Sequence, residues 1–362
     1  MARTSFIVSK SSFYFYVTMF FFLLLAIFYN SYLVEPVLNT YSIDNTNSHI
    51  ANIHDHLEYK NRMLQLSNSE LSIYTYFDNV TGIALLYSFF QDVFYWISFE
   101  SVVLIVNFLF VLLLGVEYLK IINILGYDNN VKYLFFLNLF LLYSVQLAGK
   151  DVIYSYFLML NFRFLAQGKI LKFYLSILIC AVLVRFQIVL LVLFLLIMEY
   201  KRISVLYRII VCYLFSSLFG VLAFKYVIGE GADLGGGIST YVASLNDRYY
   251  IGNFLLNPIR FFQYIVELVK APIMAFHPYI DYVGLTSMFF LLYILARARR
   301  LTRLIDLSDN LPSRYLFCMV LLLLVVPIIN LRYFLIYTPF IILAINYRIE
   351  NHNEKNSFVN RL

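Results

Sequence analysis

The chain has 362 residues, of which 62% are hydrophobic, 19% aromatic and only 13% charged. A soluble globular domain carries roughly 25% charged residues to cover its surface, so this balance excludes that class. The net charge of +6 does not favour nucleic acid as a partner, because the basic residues cluster beside the ends of apolar runs, as in a membrane protein.

The first apolar run, Phe13 to Leu33, is too long for the core of a cleavable signal peptide and lacks a small-residue cleavage site, so it is expected to remain as a first helix. It leads into a polar stretch, 35–79, expected to be a first outer loop. Ile83 to Glu100 is interrupted by Asp92 and carries Phe94, Tyr95, Trp96 and Phe99, the composition of an interfacial aromatic belt. Val102 to Leu125, Val131 to Leu147 and Val152 to Leu165 follow as expected crossings. Ile170 to Met198 has basic flanks at both ends, Lys169 and Lys172 on one side and Lys201, Arg202 and Arg208 on the other. Keeping both flanks on the inner side predicts two half-length crossings that meet at Arg185. Each half is short against the roughly 20 residues that span a bilayer core.

Val205 to Ile228 then crosses outward into a second outer loop, 229–260, with the triplet Gly235-Gly236-Gly237. No GKS/T or dinucleotide pattern accompanies these glycines, so they read as a flexible segment and not as a phosphate cradle. The following Phe261 to Phe276 contains Glu267, Lys270 and Pro272 and is predicted to be interfacial or re-entrant. Val283 to Leu295 returns to the cluster Arg297, Arg299, Arg300 and Arg303. The last run, Tyr315 to Ile345, turns at Asn330-Leu331-Arg332-Tyr333 before a cytoplasmic tail, 348–362. The expected fold class is all-α: one polytopic membrane domain over 1–362, with about ten transmembrane helices, two long periplasmic loops and amphipathic interfacial helices. None of the runs shows the ten-residue alternation of a membrane barrel.

This bookkeeping places Lys150, Asp151, Arg185, Arg332 and both polar loops on one outer side, although the orientation is set by other charges. Charged residues at membrane depth are costly and default to functional candidates. Several guanidinium and ammonium groups at headgroup level suit a lipid-linked phosphate or diphosphate. Arg185 and Arg332 are expected to grip oxygens through planar forks and Lys150 to add a compact charge, stabilising a departing diphosphate more in the transition state than in the ground state. Tyr333, His277, Arg248 and Arg260 join them as substrate-binding candidates, although Lys225, Arg248, Arg260 and Lys270 also suit contacts to lipid headgroups. Arg163, near a helix end, reads as a snorkelling residue.

Gly149-Lys150-Asp151 after a helix, a short hairpin with Val184-Arg185-Phe186-Gln187, a large later outer loop and Leu331-Arg332-Tyr333 at the start of a terminal helix resemble the Wzy-type O-antigen polymerases and the related EpsG-like polysaccharide polymerases. The resemblance covers roughly Phe13 to Ile345 through short motifs. EpsG-like members often have a histidine where this chain has Arg185. The resemblance implies a multi-pass enzyme of the bacterial inner membrane. Such an enzyme polymerises undecaprenyl-diphosphate-linked oligosaccharide repeat units at the periplasmic face, with membrane lipid around it and a Wzz-type chain-length regulator as partner.

The resemblance assigns no catalytic base. An acceptor hydroxyl needs one, and Asp44, Asp55, Glu58, Asp92, Asp151, Asp233, Asp247 and the histidines His49, His54, His56 and His277 are on the outer side. Asp151 stands beside a cation and is the candidate catalytic carboxylate, with a salt bridge to Lys150 or Arg185 as its structural alternative. His54-Asp55-His56 reads as a solvated cluster, and Cys180, Cys212 and Cys318 as packing residues, so neither a metal nor another cofactor is expected. Two other functions stay open. A GT-C-type glycosyltransferase using a lipid-monophosphate sugar would carry its carboxylate in the first outer loop. A lipid-linked oligosaccharide transporter or flippase would show internal repeats and charges through a central cavity.

Overall fold

A computed structural model describes residues 10–34, 53–67, 80–229, 237–274, 282–308, 310–327 and 330–347, all in helices and turns. Among the described residues, three helices are long and apolar enough to cross a membrane: Ser12–Tyr32, Phe99–Ile124 and Val205–Lys225. Shorter apolar helices cover Ile170–Leu183, Phe186–Glu199, Tyr282–Ala296, Leu311–Val325 and Leu331–Asn346. The described chain divides into two compact units, Met1–Met159 and Leu160–Leu362.

In the first unit, α1 (Lys10–Tyr29), α2 (Ile53–Ser67), α3 (Thr81–Val93) and α4 (Phe99–Ile124) precede a 3-10 stretch, Asn129–Leu137, and a short α5 (Phe140–Ser144). The polar stretch 35–79 therefore contains a helix, α2, whose Tyr59 and His56 are buried. Ser98 starts α4 as its N-cap, accepting from Ser101 N–H at 3.3 Å. The aromatic turn just before it leaves Tyr95 and Trp96 exposed, as a belt at the headgroup level requires.

Val131 to Leu147 is not the continuous crossing helix that its composition suggests. The chain leaves helical backbone at Asn138 (φ −88°, ψ 77°), winds briefly as α5 and then stays irregular until α6 (Asp151–Ala166). Irregular backbone in an apolar setting requires partners for its polar groups. Asn107 on α4 supplies them, donating to the carbonyls of Val145 (3.2 Å) and Leu147 (3.0 Å), while Gln146 within the segment donates to the Ala26 carbonyl of α1 at 2.9 Å.

The second unit contains α7 (Ile170–Leu183), α8 (Val189–Glu199), α9 (Val205–Gly229), α10 (Gly237–Tyr249), α11 (Gly252–Met274), α12 (Tyr282–Ala296), α13 (Leu311–Val325), α14 (Leu331–Leu335) and α15 (Thr338–Asn346). The expected second loop, 229–260, is largely helical: it contains α10, and α11 begins within it and runs through the stretch read as interfacial. Gly237, the last of its glycine triplet, begins α10, and Gly235 and Gly236 lie outside the described residues.

The distribution of side chains on α11 is inverted relative to a water-soluble helix. Leu255, Ile259, Phe262, Val266, Val269 and Ile273 recur at helical spacing on the exposed side, while Asn253, Asn257, Arg260 and Tyr264 face inward. Apolar outside and polar inside is the arrangement of a helix solvated by lipid tails.

The inward amides form a ladder. Asn246 donates to Asn253 (2.7 Å), Asn253 to Asn257 (3.1 Å), and Asn257 to the Ser217 hydroxyl (3.4 Å). Its close packing requires glycine at 252, where a Cβ would press into the Val242 carbonyl oxygen and lie 2.7 Å from Asn246 Oδ1. Gly252→Ala is expected to cost roughly 1–3 kcal/mol because backbone and a bonded amide must both give way. A thermal melt in one fixed detergent reads this, and an unchanged midpoint would show that the ladder is loosely held.

A second buried polar contact is the ion pair of Glu199 at the end of α8 with Arg314 on α13, at 2.7 Å. Arg303, read from sequence as an orientation signal, donates to the carbonyls of Ile345 (3.3 Å) and Tyr347 (2.8 Å) at the end of α15. A cation there also complements the negative end of the helix dipole.

Candidate functional site

Two helix breaks in the second unit build the cationic site. The first ends α7: Val184 and Arg185 N–H groups both donate to the Cys180 carbonyl, and a 3-10 turn over Phe186–Ile188 restarts the chain as α8. Arg185 itself is extended, with its side chain 8% exposed, while Phe186 next to it points out at 71%. The expected interruption at Arg185 is therefore present.

The second break follows α13. Pro327 has no N–H to continue the helix and forces the preceding residue away from helical backbone, and Val326 is extended accordingly. The chain resumes at α14, where the Asn330 side chain caps by accepting from Arg332 N–H at 3.1 Å. This capped turn projects Arg332 and Tyr333.

The breaks meet on one aromatic ring. The Arg185 guanidinium carbon lies 4.4 Å and that of Arg332 5.0 Å from the centroid of Tyr333, and Arg332 Nη2 donates to the Tyr333 hydroxyl at 3.2 Å. A guanidinium stacked on a ring face keeps its N–H groups in the plane of its edge, the geometry that matches planar acceptors. Two like charges sharing a ring form an arrangement that an anion would stabilise.

Arg260 stands behind this site. It is fully buried, and its Nη groups donate to the carbonyls of Leu324 (2.8 Å), Val326 and Pro327 (3.0 Å) and to Asn257 Oδ1 (3.0 Å). Those carbonyls are the acceptors that the break after α13 leaves without helical partners. The guanidinium spends its Nη donors within the protein, so it shapes the segment leading to Arg332. Of the other cations, Arg248 is exposed in the last turn of α10, Lys225 is bonded to the Tyr250 hydroxyl at 2.7 Å, and Arg163 stacks on Phe164 at 4.4 Å. His277, Asp44, His49 and Asp233 lie outside the described residues, as do the side chain of His54 and the tail 348–362.

Lys150 and Asp151 belong to the first unit, at the start of α6. Asp151 occupies its first turn, where a carboxylate favours the positive end of the helix dipole. The preceding turn is fastened by three side chains. Tyr87 donates to Asn107 Oδ1 (2.8 Å) and accepts from Gly149 N–H (3.3 Å), while His56 Nδ1 accepts from Ala148 N–H at 2.9 Å. Burial pushes the Tyr87 phenol well above its usual range, and the negative charge of Asp151 adds to the shift, so that carboxylate is close enough to act on the hydroxyl. Lys60 and Glu100 form an ion pair at 2.7 Å beside His56.

Sequence reasoning passes over Asn107, Tyr87 and Tyr264, since single amides and phenols in apolar runs carry no motif. A visible signal exists for one of them: Asn253, Asn257, Arg260 and Tyr264 recur at intervals of three and four and mark a polar stripe on α11.

No protein-family model, curated protein or solved structure matches the chain.

Proposed function

We propose that this chain is a membrane glycosyltransferase of the O-antigen polymerase type, joining diphosphate-lipid-linked repeat units at the periplasmic face of the bacterial inner membrane. The observation that carries the reading is the meeting of Arg185 and Arg332 on Tyr333, from two separate helix breaks. In the proposed reaction an acceptor hydroxyl attacks the anomeric carbon of the donor sugar, and the bond from that carbon to the diphosphate oxygen breaks. The electron pair leaves with the lipid diphosphate, the hydroxyl proton passes to a base, and a new glycosidic bond forms. Charge grows on the departing diphosphate, where fixed guanidinium forks stabilise it. The inverted polarity of α11 supports a site reached laterally by a lipid-borne substrate. About ten crossings, counting the short apolar helices as pairs, keep the basic clusters on the inner side.

Arg185→Ala and Arg332→Ala are each expected to abolish long polysaccharide while leaving a single-unit product and normal amounts of protein in the membrane. The readout is the ladder of chain lengths on a gel of surface polysaccharide. Normal ladders in both variants would remove the proposed donor site, and loss of the single-unit product on deleting the gene would indicate a sugar-adding enzyme instead.

A further inference from the structure

Tyr264 is a fully buried phenol whose oxygen faces the backbone N–H of Asn330 outside ideal hydrogen-bond geometry, and no acceptor meets its hydroxyl hydrogen among the described residues. Nearly all buried polar groups find a partner, so a buried hydroxyl hydrogen with no acceptor requires a reason. Its surroundings are specific. The ring stacks beside Phe334 at 6.5 Å, the charges of Arg260 and Arg185 and the phenol of Tyr333 all bear on it, and the backbone of Asn330, which caps the Arg332 turn, lies next to it. The Arg260 Nη groups are already committed to carbonyls. What remains beside the Tyr333 site is a hydroxyl hydrogen without an acceptor, in a field set by cations.

We infer that Tyr264 is a third limb of the anion site, donating its hydroxyl hydrogen to a phosphoryl oxygen held by Arg185 and Arg332. The inference rests on the reading above and deepens it by naming a ligand-binding residue and a ligand chemistry, a diphosphate group. The inward stripe of α11 brings this phenol to the site, and the two helix breaks bring the guanidinium groups. A neutral donor adds direction to a site whose cations alone would hold any anion. A hydrogen bond to a charged acceptor corresponds to about tenfold or more in affinity.

The test uses the full chain in lipid nanodiscs titrated calorimetrically with inorganic pyrophosphate, comparing the wild type with Tyr264→Phe and Arg332→Gln. Tyr264→Phe keeps the ring and removes only the oxygen. It is expected to bind pyrophosphate about tenfold or more weakly while melting close to the wild-type temperature, because no acceptor in the protein loses a donor and only the poorly aligned contact from Asn330 N–H is removed. Equal affinity in Tyr264→Phe and the wild type, with binding lost in Arg332→Gln, would overturn this inference and leave the arginine site standing. A melting temperature lowered by several degrees would show that the hydroxyl has an acceptor within the protein and would also overturn it. Failure of the wild type to bind pyrophosphate would overturn the diphosphate site as a whole, and this inference with it.

Discussion

Replacing Arg260 with methionine is expected to destabilise the second unit by roughly 3–5 kcal/mol, the range for breaking a buried charged network by removing one member. Methionine fills most of the volume, so the loss is polar and not a cavity. The carbonyls of Leu324, Val326 and Pro327 and the Asn257 amide oxygen all lose a donor at once. Each stranded group costs about 1–3 kcal/mol, and relief of the guanidinium's own desolvation offsets part of that sum. Arg260→Lys retains the charge but concentrates its donors on one nitrogen, and is expected to fall between the two. Thermal melting of the three proteins in the same nanodiscs gives the order. A substrate-binding Arg260, as its position in an outer loop suggests, predicts the opposite pattern, with unchanged melting and a loss confined to activity.

That contrast shows which features of this chain are legible in its residues. The break at Arg185 is visible because a cation interrupts an apolar run whose two basic flanks belong on one side, and this electrostatic constraint survives folding. The turn at Asn330 to Tyr333 is visible for a related reason: a proline, a capping asparagine and an arginine in succession are poor continuations of an apolar helix. The irregular segment before Gly149 is hidden. Val131 to Leu147 has the composition of a membrane helix, and the side chain of Asn107, supplied from a distant position, gives its non-helical backbone carbonyls a donor. Hydropathy counts apolar atoms and does not record where a backbone carbonyl finds its donor. The role of Arg260 is hidden likewise, because a buried arginine serving carbonyls and an exposed one serving a ligand are the same letter in a sequence.

Acidification is expected to loosen the first unit through His56. In the folded chain Nδ1 accepts from Ala148 N–H and must be unprotonated, and burial lowers the imidazole pKa from 6.5 to about 4. Glu100 works against that shift and Lys60 adds to it. The unfolded chain therefore binds the proton first as pH falls, and stability drops between about 6.5 and about 4, with the full contribution present above that window. At 1.36 kcal/mol per unit, the loss across the window is on the order of 3 kcal/mol. His56→Asn offers an amide oxygen in place of Nδ1 but does not titrate, so its melting temperature is expected to fall less between pH 7 and pH 4 than that of the wild type. The Lys60–Glu100 pair is common to both proteins, so the comparison isolates the imidazole together with its coupling to Glu100. Parallel pH profiles would mean that the bond to Ala148 survives protonation or contributes nothing. A flattened profile would identify the turn before Lys150 and Asp151 as the part of the first unit that acid releases, because His56 is one of the side chains that fasten it.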